Sequence, residues 1–304
     1  MTVAVLLSTY NGDRHLPALL DSLVAQTHRD WRLVVRDDGS RDTTVALLQS
    51  FASAHVGKVS IETGPNRGAV ASFLSLLSRS EAAGEAVAFC DQDDVWHPDK
   101  LARAVAQLSL RPEVPQLYFT RARLVDGELR PVGLSPLFDR VGFEYALFEN
   151  AAIGCTSVLN GAAHRLLVSR LPDPGSVVVH DWWCYLVVSA LGDVFYDPSP
   201  SVDYRLHGGN VIGLPSGPVS AVTAQLRRLL RSPHAFYQPH RQAAALLECF
   251  GDLLAPEQKA LLETMVHAKS RTLRRVRFAL TGPVRRQRPA DVAVARALIA
   301  LGLY

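Results

Sequence analysis

Three closely spaced carboxylates follow a short apolar stretch in the first third of the chain. The stretch 86–90 is too short and too apolar for an amphipathic helix and is typical of a buried strand. Asp91, Asp93 and Asp94 come directly after it. Two carboxylates two residues apart can converge on a hard divalent cation, which prefers oxygen ligands and often bridges to substrate phosphates. The alternative is an acidic turn or a helix start, where Asp is also common.

The chain before these carboxylates alternates between two patterns. Four apolar runs have the length of strands: 2–7, 31–35, 59–61 and 86–90. The stretches between them have helical periodicity, and such alternation with short connections predicts a parallel, doubly wound sheet. Right-handed crossovers bring the carboxyl ends of the strands to one edge, where open α/β sheets bind their ligands. We therefore expect Thr9, Tyr10, Asp37 and Asp38 to lie beside the carboxylates.

Composition and missing motifs exclude several classes. With 48% hydrophobic and 20% charged residues the chain is globular, and it contains no apolar run of the roughly 18 residues that span a bilayer. No G-x-G-x-x-G follows the first strand and no G-x-x-x-x-G-K-[ST] occurs, so nucleotide binding through a glycine-rich loop loses its main support. The start lacks the basic region of a signal peptide, and the four cysteines form no C-x-x-C, which predicts a cytoplasmic protein with reduced thiols.

Charge is distributed unevenly along the chain. From residue 216 onward fourteen Lys and Arg side chains stand against five Asp and Glu, a balance of +9, and the net charge of +3 leaves −6 for residues 1–215. This asymmetry indicates two parts with different partners. Leucines and valines alternate with arginines between Arg271 and Arg288, as in a basic amphipathic surface that lies on anionic lipid. A helical extension packed on the catalytic domain or on a second subunit, as in a homodimer, is the alternative, and no motif supports nucleic-acid binding.

Six short motifs occur in a fixed order: Ser8-Thr9-Tyr10-Asn11, residues 36–42, Asn66-Arg67-Gly68, residues 91–96, His180-Asp181-Trp182-Trp183 and residues 204–210. This ordered set resembles the family 2 glycosyltransferases with the GT-A fold over roughly residues 1–213, and most of all the rhamnosyltransferase-like members that build bacterial surface polysaccharides. Ser72 is a departure, since many members carry Asn there, which weakens any polar role for this position.

The resemblance implies a GT-A (Rossmann-like) catalytic domain at residues 1–215, an α/β fold with a mixed, mostly parallel sheet flanked by helices. The charge balance and the repeating Leu and Arg predict a basic helical extension at residues 216–304. The resemblance also implies transfer of a sugar, rhamnose among the candidates, from a dTDP- or UDP-linked donor to a glycan or lipid-linked acceptor with inversion. A non-catalytic nucleotide-sugar or glycan-binding protein and a sugar nucleotidyltransferase are the alternatives. The enzyme would lie in the cytoplasm or on the inner face of the plasma membrane.

Site residues follow from the same resemblance. Tyr10 would stack on a pyrimidine base, Asp38 would accept the ring N–H of uracil or thymine, and Asp91 would lie near the ribose. The full donor-binding set is Thr9, Tyr10, Asn11, Asp38, Asn66, Gly68, Asp91, Gln92 and Arg205. Asp93 and His207 would bind Mg²⁺ or Mn²⁺, which neutralises charge on the leaving diphosphate. The alternatives are a core aromatic for Tyr10 and a turn-forming carboxylate for Asp38.

Asp181 lies where an apolar run meets a helix. Inverting transfer needs a base that takes the proton of the acceptor hydroxyl, and the resemblance assigns this role to Asp181. A helix-capping carboxylate is the alternative reading, and the two roles are compatible. Trp182, Cys155 and Thr156 would contact the acceptor.

Overall fold

The chain divides into two units in the computed structural model, which describes residues 1–79, 84–206 and 238–304. Within the described residues the first unit comprises 1–137, 152–169 and 195–206, and the second comprises 138–151, 170–194 and 238–304. The predicted boundary at residue 215 lies outside the described residues. The second unit contains the C-terminal helices together with two segments from the first 215 residues.

A seven-stranded sheet forms the centre of the first unit, in the order β10-β6-β9-β4-β1-β2-β3. Its strands are β1 (Val3–Thr9), β2 (Trp31–Asp37), β3 (Val59–Thr63), β4 (Ala86–Asp91), β6 (Gln116–Thr120), β9 (Val158–Leu159) and β10 (Asp193–Asp197). The pairs β4–β1, β1–β2 and β2–β3 are parallel, whereas β9 is antiparallel to β4 and β6. The predicted mixed, mostly parallel α/β sheet is confirmed.

A second sheet of four strands has the order β5-β11-β7-β8. Its members are β5 (Val95–Trp96), β7 (Arg123–Val125), β8 (Pro131–Leu134) and β11 (Val202–Arg205). The helices of the first unit are α1 (Leu16–Val24), α2 (Thr44–Ala54), α3 (Ala69–Leu77), α4 (Lys100–Leu108) and α6 (Gly161–Ser169). We call residues 91–94 the acidic segment. Because β5 follows β4 after three residues, this segment lies where the chain passes from one sheet to the other.

The core explains why these runs become strands. Residues 3–7 and 33–35 are fully buried, as expected for parallel strands that are covered on both faces. Helix α4 buries Leu101, Ala104 and Leu108, whose spacing places them on one helical face. These side chains pack in one cluster with the strand residues Val5, Val35, Ala88 and Cys90.

Strand register aligns the ends that carry the chemistry. Thr9 is paired with Asp37, and Ser8 with Asp91. The carboxyl ends of β1, β2 and β4 therefore meet at one edge of the sheet, as the alternation of strands and helices predicted. We call this the acidic edge, comprising residues 9–12, 37–40 and 91–94.

The second unit is helical. Its helices are α5 (Phe143–Ala146), α7 (His180–Leu191), α8 (Pro239–Phe250), α9 (Pro256–Ala268), α10 (Thr272–Thr281) and α11 (Pro289–Leu301). The rings of Trp183 in α7 and Phe250 in α8 lie 6.2 Å apart. Lys269 holds the chain end, since its Nζ donates to the carbonyls of Gly302 and Tyr304. Among the described residues, no helix has both the length and the apolar character needed to cross a membrane.

Candidate active site

Asp37 joins the loops that follow β1 and β2. Its Oδ2 accepts a hydrogen bond from Thr9 Oγ1 at 2.8 Å, and its Oδ1 accepts the backbone N–H groups of Gly39 and Ser40 at 3.1 and 2.8 Å. Gly39 has a φ of +84°, which a residue with a side chain rarely adopts. Asp37 is buried, and its carboxylate fixes the backbone at the acidic edge.

Asp38 accepts four hydrogen bonds from the protein. Arg36 Nη1 and Ser72 Oγ each donate to Oδ1 at 2.8 Å, while the N–H groups of Arg67 and Gly68 donate to Oδ2 at 2.9 and 2.8 Å. Asp38 and Arg36 are both buried. The carboxylate therefore neutralises a buried guanidinium, and a nucleobase N–H would have to displace one of these four donors or share the oxygen that accepts it.

The contact with Asp38 also corrects our expectation for Ser72. The sequence weakened the case for a polar role there, yet Ser72 is fully buried and donates to the carboxylate. The turn that contains Asn66 and Gly68 binds the same carboxylate, because Gly68 N–H is shared between Asp38 Oδ2 and Asn66 Oδ1. Gly68 has a φ of +79° and immediately precedes α3.

Tyr10 presents an exposed side chain at the acidic edge. Its relative exposure is 46%, which the core-aromatic alternative does not allow. Its backbone is held by Gln92, whose Oε1 accepts Tyr10 N–H at 2.9 Å and whose Nε2 donates to the Tyr10 carbonyl at 3.1 Å. An exposed ring on a fixed backbone can stack on a flat ligand.

Asn11 continues the Tyr10 segment with an uncommon backbone. Its φ of +47° lies in the left-handed region, which Asn tolerates better than most residues. Asn11 N–H donates to Ser40 Oγ at 2.8 Å, and Asn11 Oδ1 accepts Arg41 N–H at 2.9 Å. Asn11 therefore fastens the β1 loop to the β2 loop.

The acidic segment brings together three side chains that can bind a cation. One ligand atom each from Asp91, Asp94 and Cys155 lies within 4.8 Å of the other two. Asp94 and Cys155 are buried, and Asp91 is half-buried. Burial raises the pKa of Asp94 well above its ordinary value, and the charges of Asp93 and Asp91 raise it further. Asp94 therefore stays neutral to a higher pH than an ordinary Asp.

Arg205 supports this segment from β11. Its Nε donates to the Asp93 carbonyl at 2.9 Å, its Nη1 to the Gly127 carbonyl at 2.5 Å, and its N–H to Asp94 Oδ1 at 3.2 Å. The side chain is buried. A contact between Arg205 and a diphosphate stays a prediction, whereas these contacts make Arg205 a support for the backbone that carries Asp93.

A buried lysine lies near the same carboxylates. Lys100 is fully buried at the start of α4, with its Nζ 4.4 Å from the centre of the Trp96 ring. Burial lowers its pKa to about 8, against the opposing influence of Cys155, Cys90 and Asp94. The helical periodicity of α4 did not predict that Lys100 is buried, because Lys normally occupies a solvent-facing position.

The donor set fits a hard divalent cation. Asp91 and Asp93 are half-buried and offer carboxylate oxygens, the ligands that Mg²⁺ and Mn²⁺ prefer. Asp94 Oδ2 is buried and has no hydrogen-bond partner among the described residues. Burial raises the pKa of the Cys155 thiol well above its ordinary value, and a protonated thiol is a poor metal ligand. The half-buried carboxylates of Asp91 and Asp93 are better suited to hold the ion than the thiol.

Comparison with known proteins agrees with this geometry. Residues 4–142 match the family described as Glycosyl transferase family 2. The dTDP-rhamnosyl transferase RfbG of Shigella flexneri is 26% identical over 222 residues, which cover 68% of this chain and 73% of that protein. The UDP-Glc:alpha-D-GlcNAc-diphosphoundecaprenol beta-1,3-glucosyltransferase WfgD of Escherichia coli is 26% identical over 63% of this chain and 70% of its own.

The chain contains a family 2 glycosyltransferase domain, matched at residues 4–142. Solved structures show its fold to be GT-A. Staphylococcus aureus TarS 1-349 in complex with UDP-GlcNAc superposes with a TM-score of 0.63 at 18% identity, over 99% of this chain and 87% of that one. The mannosyltransferase PcManGT of Pyrobaculum calidifontis, in complex with GDP-Man and Mn²⁺, gives 0.52 at 19% identity, over 98% and 86%.

In this glycosyltransferase the predicted base lies in the second unit. Asp181 is in the first turn of α7, and its Oδ1 accepts Trp182 N–H at 2.6 Å and Asn150 Nδ2 at 3.0 Å. The capping residue of α7 is Val179, and α7 has no side-chain capping hydrogen bond, so Asp181 does not fill the helix-capping role of the alternative and its role as base stays a prediction. Sequence reasoning missed Asn150, because no local pattern links positions 31 residues apart.

The predicted acceptor residues are all buried. Trp182 Nε1 donates to the Ala146 carbonyl at 2.6 Å, and Thr156 Oγ1 donates to the Ile153 carbonyl at 2.8 Å. Cys155 lies beside Asp94. The contact of Trp182, Thr156 and Cys155 with an acceptor stays a prediction. His207, the second predicted metal ligand, lies outside the described residues.

Proposed function

We propose that this glycosyltransferase takes its sugar from a dTDP- or UDP-linked donor and passes it to a glycan or lipid-linked acceptor with inversion, with residues 1–215 as the catalytic domain. The observation that carries the proposal is that neighbouring strands bring the exposed Tyr10 to the same edge as Asp91 and Asp93, since Ser8 is paired with Asp91 and Tyr10 N–H donates to Gln92. A ring face suits a nucleobase, and carboxylates suit a cation on a diphosphate. Both ends of a nucleoside diphosphate thus have a counterpart at one edge.

Relatives support this class of donor. RfbG is named a dTDP-rhamnosyl transferase, WfgD carries UDP-Glc in its name, and TarS was solved with UDP-GlcNAc. PcManGT was solved with GDP-Man, so the fold also accepts a purine nucleotide. Rhamnose is one candidate sugar, and surface polysaccharide is the proposed destination of the product.

Asp93, the predicted metal ligand, is proposed to hold Mg²⁺ or Mn²⁺ together with Asp91, which was predicted to lie near the ribose and whose carboxylate belongs to a group of possible ligands in the structure. When bound, such an ion neutralises the charge that develops on the leaving nucleoside diphosphate. Arg205 would keep the Asp93 backbone in place, because its Nε donates to the Asp93 carbonyl. A contribution from His207 remains part of the proposal.

Asp181 is proposed to be the general base. As the acceptor oxygen bonds to the anomeric carbon, its proton passes to the Asp181 carboxylate, and the electrons of the breaking bond leave with the diphosphate. Attack opposite to the leaving group inverts the anomeric centre. Asn150 Nδ2 and Trp182 N–H both donate to Oδ1, which orients the carboxylate.

The second unit is proposed to contact an anionic membrane through α10. Leu273, Val276 and Leu280 are spaced to share one helical face, and their exposures are 86%, 39% and 73%. Arg274 and Arg277 are exposed on the same helix. Apolar side chains between cations are suited to the interface of anionic lipid. The alternative partner for this face is a second copy of the chain, as in a homodimer.

Metal-dependent ligand stabilisation tests the donor site. UDP and dTDP at one hundred times their Kd should each stabilise the protein by about 2.7 kcal/mol with Mn²⁺ or Mg²⁺ present. Asp93→Ala should abolish the metal-dependent part, because it removes a ligand. Asp99→Ala, an exposed carboxylate six residues on, is the matched control and should behave as wild type. Undiminished metal dependence in Asp93→Ala would contradict the assignment of Asp93.

A further inference from the structure

Gln92 lies between the two carboxylates that are proposed to hold the metal, yet its side chain binds Tyr10 in the loop that follows β1. Strands β4 and β1 are parallel neighbours, with Ser8 beside Asp91. From this position the Gln92 carboxamide accepts Tyr10 N–H at 2.9 Å and donates to the Tyr10 carbonyl at 3.1 Å. One side chain therefore satisfies both backbone polar groups of Tyr10.

Gly12 leaves the space that this arrangement needs. A Cβ atom added at Gly12 would overlap the Oε1 and Cδ atoms of Gln92. Gly12 does not have a positive φ, so its backbone would accept alanine. Glycine is required there for room and not for conformation, and the group that takes up the room is the Gln92 carboxamide.

The next residue is fixed from the other side. Asn11 N–H donates to Ser40 Oγ, and Asn11 Oδ1 accepts Arg41 N–H. The Tyr10 segment is thus held between the loop after β2 and the carboxamide after β4. Its ring remains 46% exposed, so these bonds fix the base of the side chain and leave its face open.

We propose that Gln92 is a positioning residue that sets the place of the Tyr10 ring relative to the carboxylates of Asp91 and Asp93. The spacing between nucleobase and diphosphate is a property of the ligand, so a site that binds both must keep its two halves at a matching distance. Gln92 supplies that link by a direct pair of hydrogen bonds. The inference rests on the proposed role of Tyr10 as the nucleobase platform.

A double-mutant cycle tests this role with Mn²⁺ and UDP as the probe. Gln92→Ala removes the link, and Gly12→Ala displaces the same carboxamide, so each should weaken UDP binding about tenfold, as two lost hydrogen bonds allow. The double variant should also lose about tenfold, because alanine at 12 has nothing left to displace. An additive loss of about a hundredfold would overturn the proposal. Gly133→Ala, where the added Cβ has only an ordinary contact with Leu124, is the matched control.

Inorganic diphosphate with Mn²⁺ separates positioning from general damage. This probe has no base to stack, so its affinity should stay within about twofold of wild type in Gln92→Ala and Gly12→Ala. An equal loss for diphosphate and UDP would mean that the substitutions disturb the metal site itself, and this would also overturn the proposal.

A ligand-free measurement distinguishes failure of this inference from failure of the proposed donor. Amide hydrogen exchange at Tyr10 should accelerate in Gln92→Ala and in Gly12→Ala, since both release its N–H from Oε1. Unchanged Tyr10 exchange in both variants would overturn the positioning role even if UDP binding falls. If wild type binds neither UDP nor dTDP, the proposed donor is wrong, and faster exchange at Tyr10 would still support the link between the two loops.

Discussion

The acidic edge of the first unit is held in place by buried hydrogen bonds, whereas helix α10 of the second unit presents largely exposed side chains. At the edge, Asp37 and Asp38 are buried and their carboxylates accept eight hydrogen bonds between them, which leaves Tyr10, Asp91 and Asp93 accessible above a fixed frame. On α10, Leu273 and Leu280 are largely exposed. The edge is a surface shaped before any ligand arrives.

This difference separates the expected consequences of substitution. Removing one partner from a buried polar network leaves the other unsatisfied, which costs stability as well as binding. Changing an exposed side chain alters association with little effect on folding. Edge substitutions should therefore change folding, donor binding or turnover, and substitutions on α10 should change only what the surface attaches to.

The largest expected effect concerns Asp181, which belongs to the second unit and is not part of the acidic edge. Asp181→Asn should lower kcat by about 10²–10⁴, because the amide cannot take the acceptor proton, while UDP affinity stays near the wild-type value. Steady-state kinetics and calorimetric titration measure the two quantities. Asp173→Asn, an exposed carboxylate of the same unit, is the control. Turnover within about tenfold of wild type would place the base elsewhere.

Asp38 tests whether the edge is a folded network. Asp38→Ala leaves the Arg36 guanidinium buried without its counter-charge, and loss of a buried partner costs about 3–5 kcal/mol of unfolding free energy. Urea unfolding measures this loss. Asp126→Ala removes the carboxylate of the exposed Asp126–Arg130 pair and should change stability little. Similar small effects for both variants would remove the distinction between buried network and surface.

Acid should destabilise the second unit through His180. Burial lowers the pKa of His180 from 6.5 to about 3, so between these values the unfolded chain binds a proton that the folded chain does not. Stability from this group is therefore complete above pH 6.5 and falls as the pH drops towards 3, by about 2 kcal/mol at pH 5. Urea unfolding of wild type and His180→Gln across this range measures the difference. Parallel pH profiles would show that His180 does not contribute.

The smallest effect per substitution is expected on α10. Arg274→Gln and Arg277→Gln should each weaken binding to anionic vesicles by about 1 kcal/mol, roughly fivefold, and the loss should shrink as salt screens the charge. Arg274→Lys and Arg277→Lys keep the charge and serve as controls. Co-sedimentation and soluble-acceptor turnover are measured on the same preparations. Arg275 is left unchanged because it donates to the Lys269 carbonyl and Thr272 Oγ1.

A second copy of the chain is the alternative occupant of the α10 face. In that case wild type would show little vesicle binding, and Leu273→Ser with Leu280→Ser would convert a dimer into a monomer in sedimentation. On the membrane interpretation, the same pair lowers vesicle binding and leaves the oligomeric state unchanged.

The sequence by itself determined the class of fold and the place of the site. Apolar runs alternating with helical periodicity require a largely parallel sheet, and a parallel sheet gathers the carboxyl ends of its strands at one edge. This geometry follows from local patterns, so the meeting of Thr9, Asp37 and Asp91 could be predicted and is observed. The order of the six motifs likewise indicated the family whose model matches residues 4–142.

Only the tertiary structure decided how each polar side chain is used. Gln92 and Tyr10 are 82 residues apart, Ser72 and Asp38 are 34 apart, and Arg205 reaches Asp93 across 112 residues. Periodicity reports which face of an element is buried, but a hydrogen bond between elements depends on strand register and loop path to within about an ångström. For this reason the sequence could place Gln92 and Arg205 at the site, and only the folded chain shows that they hold other protein atoms there.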